Sequence, residues 1–366
     1  MVIILKIRNI NFSSIFILFL LSYSFYCFYL LGQINLNLNG KSIIWIYIIL
    51  TFLIPFSFLF MSKVGEKARI ITLNSYLEKN HKKSFFILKI LFSVYLIISG
   101  IFISFYTIYF ESTYFYSKYN IYLISIVLFI PFLLFSNKII KSTLHLHPLN
   151  LIVYIFFFIL FFRNQVDLKY YTLSFEPFNT SNLIITTVLL IPLLFEPFMF
   201  FYLFDFSKEK IVKRKMIGGI ILLSITGAYS FLQVGNQFGA LLNHLEFPFF
   251  QLWKNIYINE YVENLDCFNI IIFILNALSR LLLSTCFISK LFYIDNRIIP
   301  ISYGFVSLSI GCLFTTNLNL FEDVKIPLLT INSLILLICF TITIFHILKL
   351  GGIKNVEQQN IKIDSQ

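Results

Sequence analysis

Ten stretches of about 20 apolar residues, joined by short polar segments, leave this 366-residue chain little choice but a bilayer. They read as helices over approximately 12–33, 43–62, 84–110, 121–137, 148–162, 181–204, 216–238, 268–289, 299–315 and 328–348. The joints are too short to make a soluble domain. Composition agrees, because only 12% of residues are charged and 58% are hydrophobic. A water-facing domain needs roughly 25% charged residues, so a soluble enzyme, a nucleic-acid binder and a disordered chain are excluded together. Residues 12–33 carry Lys6 and Arg8 on their flank, as a signal peptide would. The apolar run is too long for one and no small-residue cleavage site follows, so a retained helix is expected.

The placement of lysine and arginine sets an orientation. With the N-terminus inside, 20 of the 28 basic residues fall on cytoplasmic segments and six on outer ones, the other two being Lys89 and Arg280 within spans. Such a bias over short loops is a positive-inside signal, and it puts both termini in the cytoplasm. The net charge of +11 is thereby accounted for by contact with an anionic lipid surface, with no need for nucleic acid. Clusters at 79–83 and 207–215 act first as topology anchors. The 46 Phe and 21 Tyr accompany many Ile, Asn and Lys, a bias expected of A/T-rich codons. Cys27, Cys267, Cys286, Cys312 and Cys339 are dispersed, without disulfide or metal-site spacing.

Polar groups at membrane depth are costly and therefore informative. Glu196 lies in Ile191-Pro-Leu-Leu-Phe-Glu-Pro197, deep in the sixth span. Pro192 and Pro197 each remove a backbone donor, so Phe195 and Glu196 are expected at a helix break, where freed carbonyls and one acid suit a ligand, cation or proton. A structural, hydrogen-bonded Glu is the competing reading. Arg280 sits mid-way along the eighth span, with Asn276 and Ser284 on the same helical face. It serves equally as an ion-pair partner or as a binder of a ligand carboxylate. Ser22, Tyr23, Ser24 and Cys27 in the first span and Ser104 in the third are further candidates to line a cavity, although small and hydroxyl residues also pack membrane helices. Glu111 is expected at the outer headgroups, and Lys89 is expected to snorkel. His145 and His147 lack the remaining ligands of a metal shell, and no cofactor is expected.

The outer joint 239–267 carries the aromatic run Leu245-Glu-Phe-Pro-Phe-Phe-Gln-Leu-Trp253, then Glu260, Glu263 and Asp266 on one face. A short amphipathic helix over the outer mouth is expected there, with interfacial anchoring as the plainer alternative. Ten spans also divide into five plus five. A five-helix unit reverses orientation when repeated, so the expected fold is an all-α integral membrane bundle built as an inverted repeat. Its halves would be 12–162 and 181–348, followed by the tail 349–366, all as one permease-like domain.

The chain resembles the B subunits of GerA-type spore germinant receptors, permease-like members of the amino acid–polyamine–organocation superfamily. The likeness covers nearly the whole chain in span order and loop length. It is sharpest from Phe195-Glu-Pro-Phe-Met-Phe-Phe201 through Leu245-Glu-Phe-Pro-Phe-Phe-Gln-Leu252 to Cys286, and extends to Ser75-Tyr-Leu-Glu78. Two positions depart from the family pattern. Ser22 to Gly32 has one glycine and no proline, and Leu194 replaces a small residue before the Glu. The resemblance implies a nutrient-sensing subunit in the spore inner membrane, the cell membrane of the forespore. It would bind an amino acid or similar germinant and act with A and C subunits. A proton- or cation-coupled amino acid transporter is the alternative. A membrane enzyme is disfavoured, since neither a large outer loop nor an in-membrane His is readable. If the orientation is right, a cysteine placed at Asn259 reacts with an impermeant thiol reagent from outside, and one at Lys213 reacts only after permeabilisation. The reverse pattern overturns the topology.

Overall fold

The computed structural model describes residues 19, 22–23, 25–39, 42–67, 73–115, 120–135, 180–199, 210–254, 266–292 and 298–363. Every regular element among them is helical. A π-helical turn, Phe25–Leu30, leads into α1 (Leu31–Asn39), followed by α2 (Ser42–Lys67), α3 (Leu73–Asn80) and α4 (Lys82–Phe110). A second π turn, Glu111–Phe115, ends α4, and α5 (Ile121–Phe135) follows. Next come α6 (Thr180–Leu189), α7 (Ile191–Phe195) and a 3-10 turn, Glu196–Phe198. After α8 (Lys210–Phe238), a 3-10 segment Gly239–His244 precedes α9 (Pro248–Lys254). The chain continues through α10 (Asp266–Phe292), α11 (Ile298–Thr316) and α12 (Leu318–Ile363).

Six of these helices are long and apolar enough to cross a bilayer: Ile43–Val64, Lys82–Tyr114, Ile217–Phe238, Ile270–Phe292, Ile298–Thr316 and Leu318–Leu348. Two shorter apolar stretches, Ile121–Leu134 and Ile184–Phe198, accompany them. Their outward faces carry large apolar side chains, such as Phe52, Phe56 and Phe60 on α2 and Ile126, Ile130 and Leu134 on α5. Continuous apolar surface of that extent is tolerated in lipid and not in water. The chain is an all-α membrane protein.

Several boundaries differ from those read in the sequence. The first helix runs on to Asn39 rather than ending near 33, because Ile34, Leu36 and the amides of Gln33 and Asn35 are buried by neighbouring elements. α12 begins at Leu318, ten residues before the expected 328, and passes through Pro327. In the joint 239–267, α9 forms where a short amphipathic helix was expected. The acidic face expected there from Glu260 and Glu263 lies outside the described residues, as do the span 148–162, Ser24, His145 and His147. Glu111 is 6% exposed, so it is enclosed by protein and does not face headgroups. Lys89 lies over the Phe85 ring, 4.3 Å from its centroid, one turn nearer the lysine-bearing start of α4, the direction a snorkelling side chain takes.

The helices pack in two groups. α1, α2, α6, α7 and α8 contact one another, with α2 against α8 as the main seam. α4, α5, α10 and α11 form the other group, with α4 against α11 as its main seam, and α12 touches both. Helix association in lipid lacks a hydrophobic drive and depends on close packing of small residues, which the α4–α11 seam displays. A Cβ added at Gly311 would lie 2.8 Å from the backbone nitrogen of Phe105. One added at Gly100 would run into the Tyr303 ring and the Ser307 hydroxyl. Tyr303 uses this closeness, donating its hydroxyl to the Leu96 carbonyl at 3.0 Å. Gly311→Val should therefore destabilise the protein by about 1–3 kcal/mol. Gly218→Ala, with nothing within 4 Å of the added methyl, should not. Thermal unfolding in detergent compares the two.

Candidate functional site

The site begins with a missing proton donor. In a regular helix the Leu193 carbonyl would accept from the amide of residue 197, but that residue is proline and has no N–H. The helix tightens instead into the 3-10 turn Glu196–Phe198. The Tyr23 hydroxyl, arriving from the first span, donates to the stranded Leu193 carbonyl. Pro192 stands at the start of α7, just past the irregular residue Leu190 that separates α7 from α6. The sixth span is thus interrupted twice, and Glu196 is held at the second interruption with 1% exposure.

The first span is irregular at the facing position. Its π turn inserts one extra residue into the helical winding, a feature that tends to mark functional sites, and it re-aims Tyr26 and Cys27. The Cys27 thiol donates to Glu196 Oε2 at 3.2 Å. Arg280 of α10, 2% exposed, forms an ion pair through Nη2 with Glu196 Oε1. Its guanidinium also lies over the Tyr26 ring, 5.0 Å from the centroid. Tyr26 is fixed in turn by Asn332 of α12, whose amide donates to the phenol oxygen at 3.1 Å. Tyr95 of α4 lies within electrostatic range of Glu196, Arg280, Tyr26 and Cys27.

Glu196 and Arg280, singled out in the sequence without proof that they meet, are direct partners. The other candidates are distributed around them. Phe195 is half-buried against Phe340 of α12, with centroids 4.4 Å apart. Pro192 and Pro197 shape the break and are buried. Ser22 donates to the Phe19 carbonyl at 2.9 Å, within its own helix. Asn276 spends its amide nitrogen on the Ile272 carbonyl at 2.9 Å, and Ser284 donates to the Arg280 carbonyl at 3.0 Å. Ser104 faces α11 at Gly311, in the α4–α11 seam. The sequence reading had Cys27 among the first-span residues that could line a cavity, but passed over Tyr26, Tyr95 and Asn332. Asn332-Ser333, fully polar in the middle of an apolar span, was a readable signal.

Several buried polar atoms around the pair have no hydrogen-bond partner: Arg280 Nε, the Tyr95 hydroxyl, Asn276 Oδ1 and Asn332 Oδ1. Buried polar groups are ordinarily satisfied, so this neighbourhood has capacity to bind something polar. Among the described residues, no three His, Cys, Asp or Glu side chains converge as metal ligands would. Comparison with protein-family models, curated proteins and solved structures finds no match.

Removing one member of a buried ion pair strands the other charge at a cost of about 3–5 kcal/mol, whereas removing both costs less. Glu196→Gln and Arg280→Gln should each lower stability by about that amount. The double variant should recover a substantial part of the loss. Equal additivity in a double-mutant cycle, read from detergent melts, would show that the two charges are not coupled.

Proposed function

We propose that the chain is a permease-like membrane protein that binds a small zwitterion, an amino acid or similar nutrient, between Glu196 and Arg280. The observation that carries this reading is the buried ion pair at the meeting of two interrupted helices. An acid and a base held face to face are the complement of an ammonium and a carboxylate on one small molecule. When the pair separates, such a ligand replaces each lost charge with its own, which removes the cost of opening. The unsatisfied side-chain atoms beside the pair, Arg280 Nε and the Tyr95 hydroxyl among them, are the further polar groups such a ligand would meet.

The packing supports ten spans arranged as two repeats of five. Counted along the chain, the first and second spans pack with the sixth and seventh, while the third and fourth pack with the eighth and ninth. Each member is thereby grouped with its counterpart five spans later. The two interruptions, at 25–30 and 190–198, also fall on counterpart spans. Within this architecture, the resemblance carried by Phe195 to Phe201 and Leu245 to Leu252 makes the protein the B-type subunit of a spore germinant receptor. It senses a nutrient in the spore inner membrane, with both termini cytoplasmic, and acts with A and C subunits. The transporter reading rests on the same pair, with Glu196 exchanging a proton or cation as it parts from Arg280.

A purified sample should be stabilised against heat by at least one α-amino acid, and not by the matching amine or the matching carboxylic acid alone. Glu196→Gln should weaken that binding by about tenfold or more, the usual worth of a hydrogen bond to a charged group. Spores with normal levels of the Glu196→Gln protein should lose the nutrient response, and a wild-type response overturns the role given to the charge. Uptake of labelled amino acid by the chain alone, with unchanged abundance in cells lacking the A and C subunits, decides for the transporter.

A further inference from the structure

The two helical groups are tied together a second time, at the end of the bundle that the charge pattern assigns to the outside. The tie is Glu246, in the short extended link between the 3-10 segment and α9. Its backbone carbonyl accepts from the Gln33 side-chain amide. Its carboxylate accepts from the Tyr109 hydroxyl, 3.1 Å from each oxygen. Gln33 belongs to α1 in one group and Tyr109 to α4 in the other. One residue therefore bridges the seam along which the Glu196–Arg280 pair also lies.

Beneath Glu246, the segment sends aromatic rings down towards the site. Phe250 meets Phe110 edge-on at 4.8 Å, and Phe110 stacks on Phe273 of α10 at 4.5 Å. Phe273 meets Phe25 at 5.0 Å, and Phe25 opens the π turn that carries Tyr26 and Cys27. On the other side, Phe249 contacts Tyr29 of the same turn at 5.5 Å. The column is buried throughout, whereas Glu246 at its top is exposed. A carboxylate open to water is the part of this assembly that exchanges its partner at least cost, because solvent replaces the lost bond.

We propose that Glu246 is a latch. Its bonds to Tyr109 and Gln33 hold the two helical groups together over the site, and their release lifts the 245–252 segment and its aromatic column to admit the ligand from outside. The inference rests on the Glu196–Arg280 site described above, but the latch is testable with no ligand at all, because Cys27 reports on whether the site is open.

The experiment uses the full chain with Cys27 as its one thiol. An impermeant methanethiosulfonate is applied to the outer side in oriented membranes, and the labelling rate is followed by mass. Tyr109→Phe keeps the ring packed against Phe105 and Phe247 while removing the hydroxyl. It should raise the rate by about fivefold, in keeping with the loss of one partly exposed hydrogen bond. Glu246→Ala should do the same, and Glu246→Gln, which retains an acceptor, should lie between it and the parent. Circular dichroism and the melting temperature check that each variant is folded. Unchanged labelling in both Tyr109→Phe and Glu246→Ala overturns the latch, as does labelling of Cys27 only from the lysine-rich side. Faster labelling without amino acid binding leaves the latch standing and removes the zwitterion reading. Binding without a change in labelling does the reverse.

Discussion

Glu196 and Arg280 are at most 2% exposed, and each compensates the other for the loss of water. An isolated ion in an apolar interior costs several kcal/mol even after the protein relaxes. The pair therefore dictates where the sixth and eighth spans meet, and it does so with a direction that apolar packing lacks. Phe, Ile and Leu faces in lipid are exchangeable among many helix pairings, since lipid tails solvate them as well as other helices do. A carboxylate opposite a guanidinium has one arrangement. Tyr26 and Asn332 extend that constraint to the first and last described spans, so four elements are set by one electrostatic contact.

A pair of this kind does not by itself make a stable bundle, because its desolvation cost offsets much of the attraction. Stability comes from elsewhere, from the Gly100 and Gly311 contacts that let α4 and α11 approach closely. The division of labour matters. The glycine seam holds a group together internally, whereas the ion pair lies between the groups, where the proposed function would have a ligand replace it. A seam of interlocked side chains offers no such exchange. The interruptions serve the same end. Pro197 removes one amide, and Tyr23 satisfies the carbonyl thereby released, so the sixth span tightens into a 3-10 turn at Glu196 without leaving an orphaned acceptor at that position.

Long apolar runs made the class of fold readable, since about 20 residues per span is set by bilayer thickness alone. Glu196 and Arg280 were readable for the related reason that an ion at that depth needs a purpose. Their contact was not readable, because the spacing of residues along two different helices carries no information about their mutual rotation. The π turn at 25–30 was equally hidden. Glycine or proline would have marked a break, and Phe25 to Leu30 contains neither. Cys27 was legible as one of several first-span residues able to line a cavity, but its contact with Glu196 joins two different spans and was no more readable than the ion pair. Glu111 misled in the other direction. Its position at the end of an apolar run implied headgroups, yet the second π turn carries it back into protein.

The two ties between the groups differ in a way that orders events. Glu196 and Arg280 are buried and meet through charge, so they separate only when something of equal charge takes their place. Glu246 meets Tyr109 at the surface, where water competes for both partners. In the latch proposed above, opening would begin at the exposed tie, which costs less to break, and reach the buried one afterwards. The aromatic column between them is continuous, from Phe250 through Phe110 and Phe273 to Phe25. Close-packed rings do not deform gradually, so lifting one end repacks the other. On the proposed reading, a ligand that bridges Glu196 and Arg280 would restore the buried tie and, through the same column, favour return of the segment above it. By this linkage, closure would belong to the occupied state of the proposed site.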